Sequence, residues 1–298
     1  MDWISGMQNA INYIEAHLTD AMDYDEVAAQ SFSSSYHFQR VFSILCGFTI
    51  GEYIRSRRLS LAGAELAESD VKVIDVALKY GYDSPDSFAK AFQKFHGILP
   101  SQARNNGSRL KSFSRLVLKI SLEGGNIMNY RIEEKEAMTV TGYSARFSGS
   151  PSGRYDQQHD FMVSGETRFI RYALQGMASD CSSEYAVISD IDDKGYVFTI
   201  GTVIPKYYAE HLEKTIGKNN ADKLTIKNIS QQKYLIVETK RSVLCIQEHL
   251  EMRKRAVTEW FANSKYRLSN APEITVFRYD RTNKENSYAE LWLPLEKI

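Results

Sequence analysis

Near its C-terminus the sequence reads SYAELWLPLEKI, and those residue types suit one kind of chemistry. In an extended strand successive side chains alternate between faces, so Tyr288, Glu290 and Trp292 share one face and Ala289, Leu291 and Leu293 the other. Two aromatic rings flanking a carboxylate suit a lipophilic cation: each ring face attracts it by about 0.5–2 kcal/mol, and Glu290 supplies the counter-charge. A second chemistry is written in SYHFQRVF, residues 35–42. Read as a helix, it sets Phe38, Val41, Phe42 and Leu45 on an apolar stripe and leaves Ser35, Tyr36, Gln39, Arg40 and Ser43 on the other face. Arginine can donate a fork to guanine O6 and N7 and glutamine can pair with adenine N6 and N7, each worth about 1–3 kcal/mol of discrimination.

The elements that would position these groups come in repeats. Phe38 and Phe42 recur as Phe88 and Phe92, and Glu26-Val27-Ala28 recurs as Asp75-Val76-Ala77. Each copy reads as a short helix, a turn and a second helix. Asp23 to Glu26 fits a capping box opening the first short helix. Gly81 stands at the turn of the second copy, where positive φ is cheapest for glycine. The first copy has only Ser31-Phe32 there, so that turn is expected to be strained or differently shaped. Between the copies, GEYIRSRRLSLAGAELAES has helical spacing and no proline, which predicts one continuous connecting helix. Two such units on a stiff connector suit successive major-groove segments of duplex DNA, about 34–36 Å apart. The phenylalanines keep a common core, and the residues between them differ because each copy meets different base pairs.

After NNGSRLKS the composition turns to β-rich alternation, with a strand-turn-strand signal at Gly124-Gly125. Residues 130–147 read as strand, 158–178 as helix, and 185–204 as two strands joined at 192–195; the series repeats over 224–240, 246–263 and 273–295. The fold class expected is an all-α N-terminal double helix-turn-helix domain plus an α+β C-terminal domain with a duplicated βαββ unit. The boundaries expected are 1–108 for the first domain, 109–128 for a linker and first hairpin, and 129–298 for the second.

On these motifs residues 1–105 resemble the DNA-binding domain of the AraC/XylS family of bacterial transcription regulators. IDVALKYGYDSPDSFAKAFQKFHGILPSQAR matches the family signature, including Gly81, Tyr82, Phe88, Phe92, Phe95, Gly97, Pro100 and Arg104, and SSYHFQRVF is nearest to the Rob/MarA-like subgroup. The resemblance implies that Ser35, Tyr36, Gln39, Arg40 and Ser43 face DNA from the first reading helix, and Asp86, Ser87, Lys90 and Lys94 from the second. Arg57 is a candidate phosphate contact, with a surface salt bridge as its structural alternative. Lysine is a point charge rather than a fork, so the first unit is expected to read sequence and the second mainly to position. The second half is similar to the GyrI-like effector-binding domain, through its βαββ repeat, Trp260 and the terminal AELWLPL. That resemblance implies an effector pocket at Glu290, with Tyr288, Trp292, Trp260 and Tyr172 as its aromatic partners. Aligning Pro205 with Pro294 sets Gly201 opposite Glu290, which predicts one acidic centre with room beside it.

Composition bounds the alternatives. The 298 residues are 43 % hydrophobic and 25 % charged, ordinary for a globular protein of two domains. No apolar run approaches the roughly 18–20 residues that span a bilayer, so a cytoplasmic protein without membrane contact is expected. Three isolated cysteines and six scattered histidines give no disulfide framework and no metal spacing, and no cofactor is expected. Net charge is zero, and up to Lys111 there are 11 Lys and Arg against 13 Asp and Glu; DNA binding therefore depends on which face the cations share. The function expected is a non-enzymatic, DNA-binding transcription regulator sensing a small lipophilic or cationic effector, with RNA polymerase as a further partner to test. Two alternatives stand beside it: a ligand-independent regulator using its second domain for protein contacts, and a hydrolase with Glu290 as general base.

Overall fold

Apolar residues spaced at three and four positions dictate the helices of the first hundred residues, and alternation dictates the strands that follow. A computed structural model describes residues 3–297, apart from 106, 119–127, 193 and 243–245. The chain divides into two compact units, residues 1–42 with 49–122 and residues 43–48 with 123–298.

The first unit holds α1 (Trp3–Ala16), α2 (Tyr24–Ala29), α3 (Ser35–Cys46) as far as Phe42, α4 (Ile50–Glu68), α5 (Val73–Lys79) and α6 (Pro85–His96). The pairs α2–α3 and α5–α6 are the two helix-turn-helix copies, and α4 is the continuous connector. Phe38, Phe42, Phe88 and Phe92 are all buried; in the second copy Phe88 and Phe92 pack with Leu59, Leu66, Val76 and Tyr80. Asp23 caps α2 by accepting from the Asp25 amide, but Glu26 accepts from the Tyr13 hydroxyl at 2.6 Å instead of closing a capping box. The complete box lies at Thr49 and Glu52, opening α4.

The two turns differ as their sequences demand. Gly81 has φ +78°, and the Tyr82 amide donates back to Ala77. In the first copy Phe32 takes the same left-handed conformation at φ 55°, and the Ser33 amide donates to Ala28. The strain expected there is therefore real: a side chain in this region costs roughly 1–2 kcal/mol.

Part of the expected linker belongs to this unit. Through Leu118 it lies along the helices: the Phe113 amide donates to Ser60 Oγ at 3.0 Å, the Leu116 amide to Tyr53 Oη at 3.0 Å, and the Lys111 amide to His96 Nδ1 at 3.1 Å. Buried His96 is a neutral tautomer, because its Nδ1 accepts from that amide while its Nε2 donates to the Leu59 carbonyl at 2.9 Å. The hairpin expected at Gly124-Gly125 lies outside the described residues.

The second unit carries β1 (Tyr130–Lys135), β2 (Met138–Ser148), α7 (Tyr155–Val163), α8 (Gly165–Gly176), β3 (Ser183–Asp192) and β4 (Gly195–Thr202). After the short helices α9 (Lys206–Glu210), α10 (Leu212–Ile216) and α11 (Lys218–Ala221), the pattern repeats as β5 (Thr225–Ile229), β6 (Gln232–Glu238), α12 (Ile246–Arg255), β7 (Tyr266–Leu268), β8 (Glu273–Arg278) and β9 (Tyr288–Lys297). The sheet order is β1-β6-β9-β8-β3-β4-β2-β5, with β7 paired to β9. It reads as a dyad: β3 and β8 meet at the centre, and the leading strand of each repeat is split, one half staying home and the other joining the opposite repeat. No helix among the described residues is long and apolar enough to cross a membrane.

Because Phe32 is 76 % exposed, its side chain contributes little packing to offset the strain. Phe32→Gly is expected to raise stability by about 0.5–1 kcal/mol, and Gly81→Ala to lower it by about 1–2 kcal/mol. Urea unfolding of the two variants checks both signs.

Candidate functional site

The second reading helix, α6, begins with Ser84 as N-cap and Pro85 in its first turn. Its outer face presents Asp86, Ser87, Lys90, Gln93 and Lys94, all exposed. Ser87 is partly committed, since its Oγ donates to the Ser84 carbonyl at 2.9 Å. The first reading helix, α3, is less open. Tyr36 and Gln39 are half-buried, and Gln39 Nε2 donates to Ser35 Oγ at 3.1 Å. Ser43 is buried and Arg40 is only 1 % exposed. Arg40 Nη1 donates to the Tyr36 hydroxyl at 3.1 Å, and its guanidinium lies 5.8 Å from the centre of that ring. The side chain expected to read guanine is thus folded back against its own helix in this conformation.

Arg57 is not a free phosphate contact. Its Nε and Nη2 reach Glu15 at 2.9 Å each, and its Nη1 donates to the Phe113 carbonyl at 2.5 Å. Tyr53 donates to the same carboxylate at 2.6 Å. Burial by itself pushes the Glu15 carboxyl up, but the hydrogen bonds from Arg57 and Tyr53 outweigh it and hold the carboxyl below the usual range. The salt-bridge alternative describes Arg57 correctly.

In the second unit the residues expected to form an effector pocket do not converge on one. Glu290 is 3 % exposed and accepts from Arg131 at 2.9 Å, Arg278 at 3.4 Å and the Trp292 indole at 2.8 Å. Lys135 Nζ stands 4.6 Å from the centre of the Trp292 ring, and the Arg241 guanidinium 4.1 Å from that of Tyr288. The carboxylate and both aromatics therefore already hold the chain's own cations. Trp260 stacks on Tyr266 at 6.0 Å, and Tyr172 is exposed on α8. Nor does Gly201 leave room: a Cβ there would lie 2.2 Å from the Thr141 carbonyl of β2. That space holds backbone.

A cavity of about 70 Å³ opens on the other face of the same strand. Its walls are Ala289 and Leu291 of β9, Ala186, Ile188 and Phe198 of the first repeat, and Met162 and Leu250 of the covering helices α7 and α12. The cavity thus shares β9 with Glu290 and Trp292 but lies against the strand's other face. The polar groups of the cavity are Gln158, His249, Arg253, Glu273, Thr239 and Thr275. Arg253 is 4 % exposed and Glu273 2 %. They form an ion pair through Arg253 Nη2 and Glu273 Oε2, and Arg253 Nη1 donates to Ser152 Oγ at 2.7 Å. His249 Nε2 lies 3.4 Å from Thr275 Oγ1. Burial, with the Arg253 charge beside it, pushes His249 down to about 4, so it is neutral near pH 7. Among the described residues no cluster of His, Cys, Asp and Glu could hold a metal ion.

None of these cavity residues was singled out from sequence. A signal was present: Leu250, Arg253 and Val257 fall on one stripe of α12 and the π-helical turn that follows it, which puts an arginine where an apolar residue is expected. Glu273, Thr275 and Phe277 similarly share the covered face of β8.

Residues 27–106 match a family described as "Helix-turn-helix domain", and residues 131–295 match one described as "Integron-associated effector binding protein". The HTH-type transcriptional activator AarP of Providencia stuartii is 46 % identical over 92 residues, 31 % of this chain and 68 % of AarP. The Right origin-binding protein of Escherichia coli K12 is 35 % identical over 208 residues, 66 % of this chain and 68 % of that protein. Among solved structures, that of SAV2435 bound to tetraphenylphosphonium is 13 % identical with a TM-score of 0.45, covering 57 % of this chain and 94 % of that one.

Removing the Glu15 carboxylate tests the structural role of Arg57. Glu15→Gln is expected to destabilise the protein by about 2–3 kcal/mol at pH 7, toward the lower end for a buried pair because some solvent reaches it. Because the folded pKa of Glu15 is lowered, its contribution is complete above the unfolded value of about 4.3 and lost as pH falls through the folded value. The gap between variant and wild type in urea unfolding should therefore close in acid. A gap that persists there would put the stabilisation elsewhere.

Proposed function

Since the chain belongs to the AraC-type helix-turn-helix regulators that carry an integron-associated effector-binding domain, we propose that it is switched by a small lipophilic effector occupying the cavity beneath α7 and α12. It is a DNA-binding transcription regulator. One observation carries the effector reading: a largely apolar cavity with a few convergent polar groups, one a buried ion pair, inside the unit that matches an effector-binding family. Protein interiors seldom leave such space, and apolar pockets with a few placed polar groups are the usual form of a small-molecule site. Glu290 serves as an internal counter-ion for Arg131 and Arg278 rather than as the ligand's partner.

On the DNA side, the first unit reads sequence through Tyr36, Gln39 and Arg40, and the second positions the protein through Lys90 and Lys94. For Arg40 to reach a base edge its guanidinium must leave the Tyr36 hydroxyl. The effector acts by differential affinity for the two states of the protein, which is all that a ligand can exploit.

Calorimetric titration of the full chain with small lipophilic molecules tests the effector reading. Saturable binding is expected, to be abolished by Ala289→Phe, which fills the cavity, and retained in Glu290→Gln. No saturable binding to the folded wild type would sink the reading in favour of a protein-contact role. For DNA, Arg40→Ala is expected to cost about 1–3 kcal/mol on the preferred sequence and little on random DNA, whereas Lys90→Ala weakens all sequences together and reduces the salt slope by about one. Equal loss of sequence preference from both would show that the two units do not divide the work.

A further inference from the structure

A helix-borne arginine pairs with a buried strand glutamate twice, once in each repeat, and the two copies are finished differently: Arg253 is buried, whereas Arg171 is partly exposed. In the first repeat, Arg171 of α8 meets Glu184 of β3: Nε and Nη2 each donate to a carboxylate oxygen at 2.6 Å, and Nη1 donates to the Met162 carbonyl at 2.8 Å. All three of its nitrogens have partners. In the second repeat, Arg253 of α12 meets Glu273 of β8 with Nη2 alone, Nη1 goes to Ser152, and the buried Nε has no partner. The same is true of His249 Nδ1, one helical turn earlier on α12. Both residues line the cavity. Arginine keeps its protons at any physiological pH, so Nε is a permanent donor left unmet in a largely apolar space, which is unfavourable.

We propose that this cavity takes a small uncharged molecule, apolar over most of its surface, whose oxygen accepts a hydrogen bond from Arg253 Nε; the proposal rests on the cavity being the effector site. Charge decides the class. Arg253 and Glu273 cancel, so a cationic ligand binds Glu273 only by displacing a guanidinium that is itself buried and would be left without a counter-ion. An anionic ligand adds a second negative group beside Glu273. A neutral acceptor satisfies the existing donor and disturbs neither partner. Neutral His249 adds no charge and offers a second polar atom to the same ligand.

Three probes with one aromatic body and different heads test this on the full chain by calorimetry: acetophenone, benzylammonium and benzoate. Acetophenone is expected to bind at least about tenfold tighter than either ion, and to lose binding in Ala289→Phe. Arg253→Met removes the positive charge paired with Glu273 and should turn the preference to benzylammonium. If that variant does not fold, Arg253→Met combined with Glu273→Gln removes both charges together; it should weaken acetophenone by about tenfold and still reject benzylammonium. Wild-type protein that binds benzylammonium as tightly as acetophenone would overturn the ligand class and leave the cavity reading standing. Failure of all three probes to bind, or binding that Ala289→Phe leaves intact, would overturn the cavity reading and this proposal with it.

Discussion

The C-terminal unit is organised around pairing a helix-borne arginine with a buried strand-borne glutamate, and doing so in each repeat. Removing a charge from water costs several kcal/mol, and a pair recovers this only with good geometry and further hydrogen bonds. Arg171 and Arg253 can meet Glu184 and Glu273 only if α8 and α12 lie at fixed heights over β3 and β8. Since β3 and β8 pair directly, with Ile188 opposite Glu273 and Glu184 opposite Phe277, the two ion pairs sit across the centre of the sheet. They act as pins: a helix that slipped by one turn would leave the buried carboxylate of Glu184 or Glu273 without its arginine. The cavity lies beside the second pin, where the covering helices leave the sheet incompletely filled.

The opposite face of the sheet solves its electrostatics in another way. There Trp292 packs against Tyr234 at 5.8 Å and edge-on to Tyr185 at 6.4 Å, over Val187, Ile236, Ile274 and Val276. Glu290 at the edge of this cluster is held by two arginines and an indole N–H. Its charge is thereby met within the fold. The helical unit follows a related logic at Glu15, whose donors Arg57 and Tyr53 belong to α4 and tie the connector to α1. Glu290 looks from sequence like a ligand group, and both glutamates find cationic partners inside the fold.

How far the sequence could be read follows from where each partner lies in it. The helix-turn-helix copies were legible because their determinants are local: the stripe Phe88, Ala91, Phe92 and Phe95, the Gly81 turn, and a connector free of proline. The strained turn at Phe32 was legible by comparison with its repeat. The duplicated sheet was visible in outline, but the split of each leading strand was not, because exchanging β1 and β5 between repeats is a pairing between distant segments. Arg40 and Arg57 have the types and spacing of DNA contacts, and the sequence alone does not reveal that Tyr36 and Glu15 accept from them. The cavity was illegible for the same reason: Ser152, Arg253 and Glu273 come from three separate stretches, and Arg253 stands within MRKRAV, where a run of basic residues suggests a solvated helix face.

The duplication also gives a physical reason for the proposed site to lie where it does. Two repeats that began alike can diverge only where the shared fold does not depend on the residues changed. Complete hydrogen bonding makes Arg171 a purely internal element, and any ligand reaching it would have to break bonds already formed. Incomplete bonding at Arg253 leaves one donor over without loosening the pin, since Nη2 and Nη1 still hold Glu273 and Ser152. A ligand that takes this donor therefore stabilises the helix–sheet contact it joins, and its binding energy bears directly on the position of α12. The proposed site rests on that asymmetry: one half of the dyad has its arginine fully bonded, and the other leaves Arg253 Nε and His249 Nδ1 for a ligand to complete.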